Sequence, residues 1–443
     1  MSSLEQWLAY QTMLHPRAID LGLERLVRVL ERLGWRQPKV PVITVAGTNG
    51  KGSVSAYCAS ILAAAGFRVG TFTSPHLRDY RERIRVHDRL VGADELISAF
   101  ERIEAARGDI GLTFFEFNTL AALLVFEAAQ LEAWVLEVGM GGRLDAVNVV
   151  DPDVAVVVSI GFDHEEYLGT TLAAIAREKA GIFRRGRPAV LGSLDMPAAI
   201  EEVARGLEAP LKRLGTEFAY TLEERGWRFQ GSRWTLPHLP PPALAGKAQY
   251  ANAATAIAAL EEIEGRLRIP AAAVAQGLRD VKLIARFQVI ARASAAAPTW
   301  ILDVAHNPAA ARVLADNLRT CPAGGRTLAV CGILADKDAP GVVRELRDCI
   351  DAWWCVPIDG ERGRSGASLA QSIRSEARAS VEAEESIAAG CAAALAYAES
   401  GDRIVVFGSF HVAGPALEWL EANELLPPGA LTEYTPAPRA AHL

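Results

Sequence analysis

No Cys-x-x-Cys pair occurs in this chain, no apolar run is long enough to cross a bilayer, and positive charge is not in excess. Each absence removes a class of function. Six cysteines (Cys58, Cys321, Cys331, Cys349, Cys355 and Cys391) without paired spacing argue against a zinc module or a dithiol redox centre, and they read as reduced thiols. The apolar runs at 121–126 and 154–160 are far shorter than a membrane span. A formal charge of −7 supplies no electrostatic reason to expect nucleic acid or an anionic membrane as partner. The opening MSSLEQWLAYQTMLHP lacks the basic start and apolar centre of a secretory signal, so the expectation is a cytoplasmic protein. No internal repeat is present.

The most informative segment is VITVAGTNGKGS, residues 42–53. An apolar β-type run feeds a loop with Gly47, Gly50 and Gly52, a cation at Lys51 and a hydroxyl at Ser53; an alanine-rich helical pattern follows. Glycines let backbone N–H groups converge on phosphate oxygens, and the helix N-terminus behind them favours negative charge. The lysine can neutralise phosphate and the serine can serve Mg²⁺. The spacing departs from G-x-x-x-x-G-K-[ST], because Gly52 separates Lys51 from Ser53. The strand–loop–helix context favours a phosphate site over a mere glycine turn.

At 443 residues the chain has length for two domains. Candidate strands at 42–45, 68–72, 134–138, 154–160 and 188–191 alternate with helical stretches at 53–65, 118–129 and 171–180. Such alternation predicts a parallel sheet covered on both faces. WRFQGSRW, 227–234, predicts a short hairpin at that sheet's margin, before a proline cluster at 237–242. A second β/α series begins at 301 and continues at 327, 353 and 403. The expected architecture is α/β: an N-terminal P-loop NTPase-like domain with a mostly parallel sheet (1–293) and a smaller Rossmann-like domain (294–430). The join falls near 291–299, and a loosely ordered tail occupies the end, from 427 or 431 to 443.

Four further clusters carry chemistry-bearing residues. TSPHL, 73–77, follows a predicted strand, where ligands gather in open α/β sheets, although Ser-Pro alone reads as a turn. In LEVGMGGRLDAVN, 136–148, Glu137 ends an apolar strand, where a carboxylate is costly unless it meets a cation. SIGFDHEEYLG, 159–169, contains His164, and IAREKAGIF, 175–183, contains Lys179; taken alone they read as a structural histidine and a solvated helix lysine. Asn252, Arg286 and Asp303 are scattered, and spacing assigns them nothing.

In this order, AGTNGKGS, TSPHL, ERIRV (82–86), TFFEFNT (113–119), LEVGMGGRLDAVN, REKAGIF, DVAHNP (303–308) and GSFH (408–411) resemble the signatures of bacterial bifunctional dihydrofolate synthase/folylpolyglutamate synthases, a family of the Mur ligase superfamily. The match runs from about residue 19 to 414. It implies that Thr48, Asn49, Gly50, Lys51, Gly52, Ser53, Asn252, Arg286 and Asp303 bind ATP. Ser74, Glu137 and His164 would be Mg²⁺ ligands, for a pair of ions, and Lys179 would be carbamylated to N6-carboxylysine. Lys51, Lys179, His164 and Arg286 would be catalytic. Ile19, Asp20, Leu21 and Gly22, with Thr113, Phe114, Phe115 and Glu116, and with Leu144, Asp145 and Ala146, would line a pterin pocket. His306, Ser409 and His411 are the candidates for glutamate. Three departures stand out: Ile284-Ala285 where the family commonly has Pro-Gly before the arginine, Val147 where Thr is commoner, and a long segment at 240–250.

The implied reaction adds L-glutamate to 7,8-dihydropteroate and to tetrahydrofolates through an acyl phosphate made with ATP. The small molecules would be the only partners of a monomer, and a monovalent cation is a further expected activator. Phosphorylation would make the unreactive carboxylate electrophilic, with Lys51, Arg286 and Mg²⁺ stabilising charge on the transferring group. A C-terminal domain closing over the nucleotide would keep water away. The alternatives are a folylpolyglutamate synthase alone, another Mur-type amino-acid ligase, or a nucleotide-dependent switch. Only about 40 residues precede the loop, too few for the extra N-terminal domain of ligases acting on UDP-sugar peptides.

Overall fold

The computed structural model describes residues 1–290, 297–321 and 323–426. The expected domain boundary at 293/294 and the expected tail lie outside the described residues. The chain divides into two compact units: Met1–His76, Arg81–Ala243 and Ala248–Lys282 form the first, and Leu77–Tyr80, Leu244–Lys247 and the chain from Leu283 form the second.

The first unit is built on an eight-stranded sheet. Its strands are β1 (Val42–Ala46), β2 (Val69–Phe72), β3 (Ile84–Val86), β4 (Arg89–Leu90), β5 (Ala133–Glu137), β6 (Val154–Val157), β7 (Ala189–Leu191) and β8 (Leu211–Arg213), in the order β4-β3-β2-β5-β1-β6-β7-β8. From β2 to β8 all neighbours are parallel, while β3 and β4 add an antiparallel edge. Every residue of β1, β2, β5, β6 and β7 is buried, which is why these strands are continuous apolar runs rather than alternating ones. Four consecutive strands, β2-β5-β1-β6, therefore deliver their carboxyl ends side by side, each about 5 Å from the next.

The segment expected as a marginal hairpin is instead a separate three-stranded antiparallel sheet of β9 (Ala219–Leu222), β10 (Trp227–Gln230) and β11 (Thr235–Leu239). Alternation explains it. Trp227 and Phe229 are fully buried on one face of β10, whereas Arg228 and Gln230 are not, the pattern of a sheet with one covered face. Its outer turn is held by Glu261, at 1% exposure on the helix Ala248–Glu262. The Glu261 carboxylate accepts the backbone N–H groups of Ser232, Arg233 and Trp234.

The second unit has a six-stranded sheet of β12 (Gln288–Ile290), β13 (Thr299–Leu302), β14 (Thr327–Cys331), β15 (Ala352–Cys355), β16 (Ser380–Ala383) and β17 (Arg403–Phe407), ordered β12-β13-β17-β14-β15-β16. All pairs are parallel except β12 with β13. Alternate residues feed two cores. Ile301, Ala329, Trp353 and Val405 pack on one face, and Leu302, Val330, Trp354 and Val406 on the other. This is the smaller Rossmann-like α/β domain that the sequence predicts. All six cysteines are free thiols. Among the described residues no helix is long and apolar enough to cross a membrane.

Replacing Glu261 with alanine strands three backbone donors of the β10–β11 turn. The expected loss of unfolding free energy is about 3 kcal/mol, with a smaller loss for Glu261→Gln, which keeps one acceptor. Urea unfolding of the two variants measures both.

Candidate functional site

In the first unit the loop after β1 turns at Gly50, whose φ of 84° is left-handed, and the helix Lys51–Ala64 starts at the next residue. A Cβ at Gly50 would lie 2.7 Å from Val158 Cγ1 and 2.9 Å from Asn252 Oδ1, so glycine is required both for conformation and for space. The same contact places Asn252 against the phosphate loop despite its distance in sequence. Helix formation begins two residues earlier than the expected 53, which brings Lys51, Gly52 and Ser53 into the first turn, where N–H groups lack intrahelical partners. Lys51 Nζ donates to the carbonyls of Gly47 (3.0 Å) and Thr48 (3.4 Å).

Thr48 and Asn49 are tied to the loop that follows β6. Thr48 N–H donates to Ser159 O (2.9 Å), and its hydroxyl bonds both the carbonyl and the N–H of Gly161 (3.1 and 3.0 Å). Ser159 Oγ accepts from Asn49 N–H and donates to Asn49 O, each at 3.0 Å. Ser159 was not singled out by sequence; its only signal is that it lies just beyond an apolar strand adjacent to β1.

Ser74 follows β2 and Glu137 ends β5; the Ser74 N–H donates to Glu137 Oε2 at 3.3 Å. Glu137 is 4% exposed. His164 lies past β6 at the start of the short helix Glu165–Leu168, with Asp163 beside it (3.9 Å between Nε2 and Oδ1). Among the described residues no three His, Cys, Asp or Glu side chains gather into a metal cluster. The expected trio has only two of that kind, with the Ser74 hydroxyl as third. Such a sparse set of mainly hard donors, one of them a buried carboxylate, fits a cation that takes its remaining ligands from phosphate and water.

Lys179 is 4% exposed on the helix Leu172–Ala180, whose N-cap is Thr171. Burial, and secondarily the charge of Lys51, push its pKa down to about 7, while Asp163 and Asp145 pull the other way. The loop that follows Glu137 reaches this helix closely. A Cβ on Gly142 would lie 2.8 Å from the carbonyl oxygens of both Glu178 and Lys179. Asp145, also buried, accepts the N–H groups of Met140 (2.9 Å) and Val147 (3.0 Å), and its pKa is nevertheless raised to about 6, burial being the largest cause.

Three segments that sequence could group only by resemblance converge. Gly22 N–H donates to Leu144 O at 3.3 Å. Arg25 bonds Asp20 through its Oδ2 (2.7 Å) and its carbonyl (2.6 Å), and reaches Glu116 Oε1 at 3.1 Å. Glu116 and Thr113 form a capping box that starts the helix Phe114–Ala128, four residues before the expected 118. Phe115 packs beside Phe72, and the Arg83 guanidinium lies 5.6 Å from the Phe114 ring centre. Leu21 and Ile19 flank Asp20 and are half-buried, and Ala146 is buried. Arg25 escaped the sequence reading because a helix arginine carries no signal of its partners.

In the second unit Asp303 directly follows β13 and accepts the N–H groups of Phe287 and Ala305, both at 2.7 Å. Burial raises its pKa, against the opposing effects of those bonds and of Arg286. Arg286 lies over the Phe410 ring, 5.0 Å from its centre. Ala285 and Phe287 both have positive φ, 57° and 49°, so Ala285 holds the left-handed conformation that a glycine would take without strain. The β13 and β17 ends are neighbours, and their loops carry His306 and Ser409. His306 Nδ1 bonds Val304 O (2.8 Å), and Ser409 Oγ caps the helix Phe410–Ala422 by accepting His411 N–H (3.1 Å).

Residues 45–260 match the family model "Mur ligase middle domain", and residues 285–410 match "Mur ligase, glutamate ligase domain". The chain is 43% identical over 422 residues to the dihydrofolate synthase/folylpolyglutamate synthase of Escherichia coli strain K12, covering 95% of this chain and 96% of that one. It is similar to the structure of E. coli FolC in complex with DHPP and ADP, with a TM-score of 0.89, 43% identity, and coverage of 96% and 99%. It is also similar to a Yersinia pestis bifunctional folylpolyglutamate synthase/dihydrofolate synthase complexed with AMPPNP and Mn ion (TM-score 0.87, 42% identity, coverage 95% and 98%).

Proposed function

Because the chain belongs to the dihydrofolate synthase/folylpolyglutamate synthase family of Mur ligases, we propose that it joins L-glutamate to both 7,8-dihydropteroate and tetrahydrofolates at the expense of ATP. It is an ATP-dependent acid–amino-acid ligase of folate glutamylation. The observation that carries the reading is the convergence of 19–22, 113–116 and 144–146 in one unit with a phosphate loop, in a chain 43% identical to such an enzyme over nearly its whole length.

The phosphates of ATP are assigned to the N–H groups from Gly50 to Ser53 and to Lys51, whose ammonium exchanges the loop carbonyls for phosphate oxygens. A divalent cation, Mg²⁺ in this reading, held by Ser74, Glu137 and His164, would neutralise charge on those phosphates. Arg286 and Asp303 are assigned to ATP as well, Arg286 already stacked on Phe410 and its charge opposing the burial that raises the Asp303 pKa. The substrate carboxylate attacks the γ-phosphate, giving an acyl phosphate and ADP. The glutamate amine then attacks the carbonyl carbon, and phosphate leaves. Glutamate is assigned to the loops of His306, Ser409 and His411. The reading is completed by a monomeric, cytoplasmic enzyme activated by a monovalent cation.

Lys179 is assigned as a carbamate. Its neutral amine adds to the carbon of CO₂ and releases a proton, which turns a cation into an anion able to support the metal. The sign of the pH dependence follows from burial. Only the unprotonated amine reacts, so adduct formation increases as pH rises through about 7, rather than near the value of an exposed lysine. Isotope-labelled bicarbonate followed by carbon NMR across that range checks it; an adduct independent of pH there, or absent, refutes the carbamate. Lys179→Ala is expected to lose most activity without rescue by bicarbonate, and near-normal turnover would sink the assignment.

The deciding assay is ADP release with Mg-ATP and L-glutamate, comparing dihydropteroate, tetrahydrofolate and no pterin. Release with both pterins, with their glutamylated products, is the expected outcome. Release with tetrahydrofolate alone would reduce the protein to a folylpolyglutamate synthase, and independence from both would overturn the folate reading.

A further inference from the structure

We propose that Ser159 is the positioning residue that sets which face of the phosphate loop binds nucleotide, a step that rests on the nucleotide reading above. Three consecutive peptide units of the loop are anchored to this one residue. Thr48 N–H donates to Ser159 O, Asn49 N–H donates to Ser159 Oγ, and Ser159 Oγ donates to Asn49 O. In a trans peptide the C=O and the following N–H point in opposite directions. The first two bonds therefore turn the Gly47 and Thr48 carbonyls to the far face, and the third turns the Gly50 N–H there too.

Lys51 provides an independent check of that geometry. Its ammonium bonds those two carbonyls, Gly47 O at 3.0 Å and Thr48 O at 3.4 Å. The Gly50 N–H and the Lys51 cation thus share the face opposite Ser159, at the start of the helix Lys51–Ala64, whose first-turn N–H groups lack intrahelical partners. Backbone accounting divides the loop's donors into two sets. The N–H groups of Thr48 and Asn49 are consumed by Ser159 and hold the loop; those from Gly50 onward face the phosphates. Ser159 touches no reacting atom, and it also fastens the phosphate loop to the segment that continues to His164.

Loss of the hydroxyl removes both Ser159 bonds to the Asn49 backbone, so the 49–50 peptide loses this anchor and the Gly50 N–H its fixed direction. Ser159→Thr and Ser159→Val have the same shape and differ by the hydroxyl alone, which separates this role from packing. Titration of the full chain with MgADP, beside the KM for glutamate and for the pterin, makes the comparison. The expected result is near-wild-type nucleotide affinity for the threonine variant and at least about tenfold weaker binding for the valine variant, with the pterin KM unchanged. Equal MgADP affinity in the two variants overturns the inference, whatever their thermal stability. Wild-type protein that fails to bind MgADP overturns the nucleotide site itself, and this inference with it.

Discussion

The parallel register of four strands, β2-β5-β1-β6, is the constraint on which the first unit depends. Parallel strands share a direction, so their carboxyl ends lie along one edge, and the loops leaving that edge are neighbours irrespective of sequence separation. The turn at Ser74, the carboxylate of Glu137, the loop from Gly47 to Lys51 and the segment from Ser159 to His164 emerge from those four ends in that spatial order. β1 lies between β5 and β6, which lets Ser159 hold the phosphate loop from the side.

Burial of ionisable groups next to this edge is expensive, and the fold compensates it in distinct ways. Glu116 takes a capping-box bond and the Arg25 guanidinium. Asp145 takes two backbone donors, yet burial still raises its pKa. Lys179 has Asp163 and Asp145 within its electrostatic reach, but burial and Lys51 prevail and leave the amine largely deprotonated above neutral pH. A buried amine poised near neutrality is unfavourable for a structural lysine and suited to a reactive one.

The second unit repeats the logic with other residues. Asp303 and Ser409, just beyond β13 and β17, leave adjacent parallel strands, and two N–H groups from Phe287 and Ala305 fix the Asp303 carboxylate. Ala285 at φ 57° and Phe287 at φ 49° are both left-handed and flank Arg286. Ala285 stands where the resemblance to the family leads one to expect glycine, the residue that adopts this conformation without strain.

The sequence by itself determined the α/β class, the strand–loop–helix around Lys51 and the ordered series of motifs that signals the family. Those features are local: apolar runs, and glycines where backbone must turn. Tertiary structure alone decided the rest. No spacing along the chain could bring Gly22 to Leu144, Arg25 to Glu116, or Asn252 to Gly50, because those pairs meet only after the sheet has set its strand order. Lys179 is the sharpest case. In sequence it is a helix lysine, and its chemistry appears only when the fold removes water from its ammonium and sets Lys51 within electrostatic range. The three-stranded sheet was misjudged as a margin for a related reason: alternating burial within β10 is legible locally, but the face that covers it, and the Glu261 carboxylate that closes its turn, belong to a distant helix.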